Sequence, residues 1–297
     1  MLSDRRRQSN SNRSTNSSNS TNNGAIEDAL NTSGMGAEAT EINELNQLND
    51  RRIQRRISSD DAAICEIARK YKIPPEMARY LRELREYEIV IVCDDSGSMK
   101  TEVDDTEHTR WDELCEIVKI ILDIGVRFDS NGVDIYFLNR DVLLGVRDPR
   151  TVEQVFNEPP SGLTPMVPVL KQVFQSELAR RGRDKKLLVF VATDGLPTDE
   201  FEKENPQELE RLMQAERNVN TTHVSFLLCT DDPNCVERMK KWDRIMHNVD
   251  VTDDYETEKR RVLHCSGADY PFSYGDYIVK ALVGAIVRQI DVSNELH

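Results

Sequence analysis

Five oxygen-bearing side chains in three short segments could do chemistry together: Asp94, Ser96 and Ser98 in Asp94-Asp95-Ser96-Gly97-Ser98, Thr164 in Ser161-Gly162-Leu163-Thr164-Pro165, and Asp194 in Thr193-Asp194-Gly195. Carboxylates and hydroxyls are hard ligands of the kind that Mg²⁺ and Ca²⁺ prefer. Each segment taken alone also has an ordinary explanation. Asp, Ser and Gly after an apolar run form turns, Thr164 could be the N-cap of a helix beginning at Pro165, and Asp-Gly is a common turn pair. The segments matter only if the fold brings them to one point.

The elements that would do so can be read from hydrophobic patterning. After Tyr87 short apolar runs alternate with amphipathic stretches, the pattern of an α/β domain with a largely parallel sheet. Strands are expected at about 88–93, 133–138, 142–146, 187–193, 223–229 and 249–252, and helices at about 110–126, 151–156, 165–181, 206–217, 234–246 and 274–290. Asn139-Arg140-Asp141 joins the second and third strands so closely that the third should be an antiparallel edge. Thr109 with Asp112 forms a capping-box-like start for the first long helix. In an open α/β sheet, ligands bind outside the carboxyl ends of the strands where strand order reverses. With the fourth strand beside the first, Asp94 and Asp194 share that rim, and the helix after Thr164 should open on the same face.

Asp94-x-Ser96-Gly97-Ser98 with Thr164 and Asp194 resembles the metal-ion-dependent adhesion site of von Willebrand factor A (vWA) domains, and the resemblance extends over roughly residues 86–290. It implies a doubly wound, mostly parallel, six-stranded Rossmann-like sheet with an antiparallel edge strand. It further implies that Ser96 and Ser98 coordinate a cation directly, that Thr164 joins in the ligand-engaged state, and that Asp94 and Asp194 act directly or through water. Such a cation, only partly neutralised, would accept a carboxylate from a protein partner. Mg²⁺ fits octahedral coordination with retained waters best, and Mn²⁺ or Ca²⁺ would suit the same ligands. The stretch Tyr270-Pro271-Phe272-Ser273-Tyr274-Gly275-Asp276-Tyr277 looks like that of stand-alone intracellular eukaryotic members of the family. Some adhesion relatives shift their last helix on binding, and the run from Asp276 to Ile290 is the corresponding element here.

Other residues border the expected rim. Lys100, Glu102, Asp104, Asp105 and His108 fall in the polar stretch before the first long helix, Asp231-Asp232 follows the fifth strand, and Asp253-Asp254 the sixth. They could tune partner choice; for His108 and for the two acid pairs, which could otherwise bind a second cation, solvated loop positions are the simpler reading.

Composition narrows the function classes. Residues 86–297 hold 25 Lys and Arg against 41 Asp and Glu, a balance that disfavours nucleic acid and anionic lipid. No apolar run is long enough to span a membrane and no secretory leader is evident, so a cytoplasmic protein without membrane insertion is expected. The six Cys lack a Cys-x-x-Cys spacing and are expected as reduced thiols. Residues 1–57, rich in Ser and Asn, are expected to be disordered. Residues 58–85 carry helical periodicity broken at Pro74-Pro75 and read as a helical collar on the vWA domain at 86–297; a helix-turn-helix is the alternative, but no basic face accompanies it. Catalysis is not expected. Haloacid-dehalogenase-like phosphatases place a second Asp two residues after the first, where this chain has Ser96, and neither a Gly-x-Ser-x-Gly elbow nor a phosphate loop is present. A metal-free scaffold is the other alternative. The oligomeric state is not legible in the sequence.

Overall fold

A computed structural model describes residues 61–103, 108–180, 185–230 and 232–291, all of them within one compact unit, Ile57–His297. The expectation of disorder over 1–57 concerns residues outside this set, as do Asp104, Asp105 and Asp231.

The centre is a six-stranded sheet: β1 (Tyr87–Cys93), β2 (Val133–Phe137), β3 (Leu143–Val146), β4 (Lys186–Thr193), β5 (Thr222–Leu228) and β6 (Val249–Thr252). Spatial order is β3-β2-β1-β4-β5-β6. All neighbours pair in parallel except β2 with β3, so the antiparallel edge expected from the short connection is present. Each strand lies within one or two residues of its expected place. Central strands such as Ile89-Val90-Ile91-Val92 are apolar at every position because both faces are covered. Ile89, Ile91 and Cys93 join one core layer and Val90 and Val92 the other.

On the first face lie α1 (residues 61–71), α2 (Pro75–Ala78) with the 3₁₀ helix Arg79–Glu86, α3 (Arg110–Phe128), α4 (Pro149–Phe156) and α10 (Tyr274–Val283). The opposite face carries α5 (Met166–Gln175), α7 (Pro206–Ala215) and α8 (Pro233–Ile245); α6 (Glu177–Arg180) follows a break at Ser176. The break ends the expected 165–181 helix early. One α-helix escaped the sequence reading altogether: α9 (Tyr255–Ser266), whose Asp254 N-cap accepts from Thr257 N. Only Glu258 and Val262 of α9 are buried, so no apolar stripe marks it.

The 61–86 segment shares the core of the first face through Ile64, Ile67, Leu81 and Leu84. Ion pairs Lys70–Asp123 (2.8 Å) and Arg127–Glu66 (3.1 Å) join it to α3. Contact with α10 is close enough that a Cβ on Gly275 would lie 2.6 Å from Lys72 O. At the other end of α10 a Cβ on Gly284 would lie 2.6 Å from the Asp250 carboxylate on β6. These two glycines let α10 lie close to the 61–86 segment at one end and to β6 at the other.

Candidate functional site

Strands β1 and β4 end side by side, with Cys93 paired to Ala192, at the point where the sheet reverses its direction of growth. Asp94 and Asp194 leave their strands on the same rim. The Asp94 carboxylate is buried, accepting from Ser96 N at 2.9 Å and from Thr193 Oγ1 at 2.6 Å. Gly97–Lys100 then turns in a short 3₁₀ helix that brings Ser98 back toward the rim. Ser98 Oγ lies 3.0 Å from Ser96 Oγ and donates to Asp194 Oδ1 at 2.8 Å.

The loop carrying Thr164 is tied to this turn through its backbone. Gly97 N donates to Gly162 O at 3.1 Å and Ser161 N to Asp95 O at 2.7 Å. Gly162 has φ 112°, open to glycine at little cost, and a Cβ there would lie 2.4 Å from Asn139 Oδ1. Thr164 N donates to Thr198 Oγ1 at 3.0 Å, and Thr198 N returns a bond to Thr164 O at 2.9 Å. Helix α5 begins at Met166 with Pro165 as its N-cap, so the capping role open to Thr164 in the sequence is not the one it plays.

Several residues of the site were not anticipated. Arg110, the first residue of α3, pairs with Asp194 Oδ2 at 3.0 Å. It is aimed there by the Thr109–Asp112 capping box, which forms as expected. Asp95 is buried and accepts from Asn139 N at 2.8 Å and Nδ2 at 3.1 Å, with Arg140 Nε 3.1 Å from its other oxygen. Asn139 Nδ2 also donates to Leu163 O at 2.8 Å, and the Arg140 guanidinium lies 5.1 Å from the Trp111 ring centre. The strand linker Asn139-Arg140 is therefore a brace beneath both loops. An Asp followed by an Asp at a strand end was the available signal that one of the pair is structural.

The two adjacent carboxylates differ in consequence. Asp95 has a guanidinium, whereas among the described residues Asp94 is bonded by an amide and a hydroxyl alone. Burial, with the nearby Asp194 charge, raises the Asp94 carboxyl to about 6 despite the bonds from Ser96 and Thr193. Among the described residues no group of three or more His, Cys, Asp and Glu side chains is placed to hold a metal, so any cation at this rim depends on hydroxyl ligands. His108 is exposed, and the Asp232 and Asp254 side chains cap helices α8 and α9. All six Cys are free thiols, and no described helix is long and apolar enough to cross a membrane.

No protein-family model matches the chain. No curated protein matches it either. Among solved structures, the crystal structure of the human COPII-coat protein Sec24c is similar over 66% of this chain and 32% of that one, with 12% identity and a TM-score of 0.36. The chain thus spans about a third of that protein's length, and a likeness so slight carries no argument about function.

Proposed function

We propose that the rim formed by Asp94, Ser96, Ser98, Thr164 and Asp194 holds a divalent cation and that the protein is a vWA-like interaction module, binding an exposed carboxylate of a partner protein through that cation. The observation that carries the reading is the position of Ser98 Oγ, 3.0 Å from Ser96 Oγ and 2.8 Å from Asp194 Oδ1. Oxygens from two strands far apart in the chain meet there. The donor set fits the group: neutral hydroxyls, and a carboxylate in Asp94 to which no cationic side chain among the described residues is hydrogen-bonded. Mg²⁺ is the first choice, with Mn²⁺ or Ca²⁺ as alternatives, because such oxygens leave room for retained water. The cation would supply a positive, partly neutralised point on an acidic surface. The protein's own part is to hold the two loops rigid through Asp95, Asn139 and Arg140. On this reading the module is not an enzyme and acts in the cytoplasm.

One observation favours a second reading, a metal-free scaffold. Arg110 already brings a positive charge to Asp194. Calorimetric titration of Mg²⁺, Mn²⁺ and Ca²⁺ into the full chain separates the two. Saturable single-site heat that Asp94→Ala and Ser98→Ala both abolish is the expected result. A folded protein that binds none of the three ions would leave the scaffold.

A further inference from the structure

Beside this rim the first face of the sheet opens into a groove of about 770 Å³ between α3 and the α9–α10 pair. That volume lies in the range of sites that enclose a ligand group. One wall is aromatic. Tyr255 packs edge-on against Tyr274 and Tyr277, with ring centres 5.1 and 5.6 Å away, and Tyr274 is 41% exposed although it sits at the start of an otherwise buried helix. Glu113 from α3 and Asp254 and Glu256 from the start of α9 line the same groove. Partial burial of the carboxyl, together with the Asp254 charge, raises Glu113 against the opposing charges of His108 and Arg110, although the residue as a whole is exposed. Two arginines and His108 line the groove against seven carboxylates: Arg110 is paired with Asp194, the charges of Arg110 and His108 offset part of that on Glu113, and Arg260 donates to Thr257 Oγ1 at 3.0 Å and to Glu256 O at 3.4 Å within its own helix. The aromatic wall already attracts one cation, since Lys259 Nζ lies 5.4 Å from the Tyr255 ring centre.

We infer that this groove is a second recognition site, which takes an arginine or lysine side chain of a partner protein with its stem along the tyrosines and its charge between Glu113 and Asp254. Charge complementarity selects the occupant. An apolar side chain would leave the acidic wall facing it, and a carboxylate would meet like charge. The inference goes beyond the metal-site reading and does not need it, because none of the proposed metal ligands lines the groove.

The test uses the isotopically labelled full chain in EDTA, titrated with acetyl-Arg-Leu-Arg-amide and with the same peptide carrying citrulline in place of both arginines, followed by amide chemical shifts. Saturable shifts at Glu113, Asp254, Tyr255 and Tyr274 are expected for the arginine peptide. Binding should weaken by about tenfold with citrulline and by a similar factor in Glu113→Gln. Glu113 is exposed, so that substitution leaves the fold intact; Asp254→Asn, which keeps a capping side chain, is the second variant and should act in the same direction. No saturable shift at millimolar arginine peptide, equal binding of the citrulline peptide, or indifference to both substitutions would overturn the inference. A titration in EDTA also separates it from the metal site, whose failure would leave this result unchanged.

Discussion

Of the carboxylates buried in this molecule, those beneath α10 and those at the rim of β1 and β4 are treated differently. Beneath α10, Glu258 is fully enclosed and meets Lys280 at 2.7 Å and Arg261 at 2.7 Å, while the neighbouring Asp253 meets Lys240 at 3.2 Å. Burial alone would raise the Glu258 carboxyl, but the charges of Lys280, Arg261 and Lys240 outweigh it and hold it at about 2. At the rim of β1 and β4, Asp94 is just as enclosed and receives only an amide and a hydroxyl. The first region balances its own charge. In the second, Arg110 pairs with Asp194 and Arg140 with Asp95, but among the described residues no cationic side chain is bonded to Asp94.

The contrast is broken most directly at Glu258. Glu258→Gln leaves the Lys280 ammonium, 2% exposed, without its charge partner, and should cost on the order of 3–5 kcal/mol of unfolding free energy in urea. Glu258→Gln combined with Lys280→Met should recover most of that loss, because a buried pair replaced by apolar and neutral groups is close to neutral overall. A double variant as unstable as the single one would show that the pair does more than cancel itself.

The same pair fixes a dependence on pH. The folded Glu258 carboxyl titrates at about 2, below its ordinary 4.5, so the stability it contributes is present in full above pH 4.5 and is lost as pH falls toward 2. The shift corresponds to roughly 3 kcal/mol. Urea midpoints measured from pH 5.5 down to pH 2.5 should therefore fall more steeply in the natural chain than in the Glu258→Gln, Lys280→Met double variant. Parallel curves would mean that other carboxylates carry the acid sensitivity.

These two regions were also unequally legible. The rim could be read because its residues sit where strands end, and a short, β-branched apolar run such as Glu88-Ile89-Val90-Ile91-Val92-Cys93 followed by turn residues points to a buried strand. What could not be read was pairing across the chain. Arg110 and Asp194, or Asp95 and Asn139, are far apart in sequence and meet only once the strand order is known. The region beneath α10 was opaque for a related reason. Tyr255–Ser266 shows no apolar stripe because its inward residue is Glu258, whose charge Lys280 answers from another helix. A helix that faces the core with a carboxylate has no signature in periodicity. In α5 the pattern was strong but the boundary was not, since Ser176 ends the helix without interrupting the run of helix-forming residues.

Arg110 sharpens the comparison, because it brings a cation from within the protein to Asp194 itself. If Asp194 belongs to a metal site, the guanidinium on its Oδ2 competes with the incoming ion for the same carboxylate. Arg110→Gln should then tighten Mg²⁺ binding by about three- to tenfold, equivalent to roughly 1 kcal/mol, a modest figure because the arginine is partly exposed and screened. Substitution by Gln keeps a donor for Asp194 and removes only the charge, so thermal unfolding without metal should move little. If instead Arg110 is the rim's resident counter-charge, as in a scaffold, the substitution strands a buried carboxylate and the unfolding temperature drops with no gain of metal affinity. The two outcomes lie in opposite directions, and calorimetry with a thermal melt on one variant tells them apart.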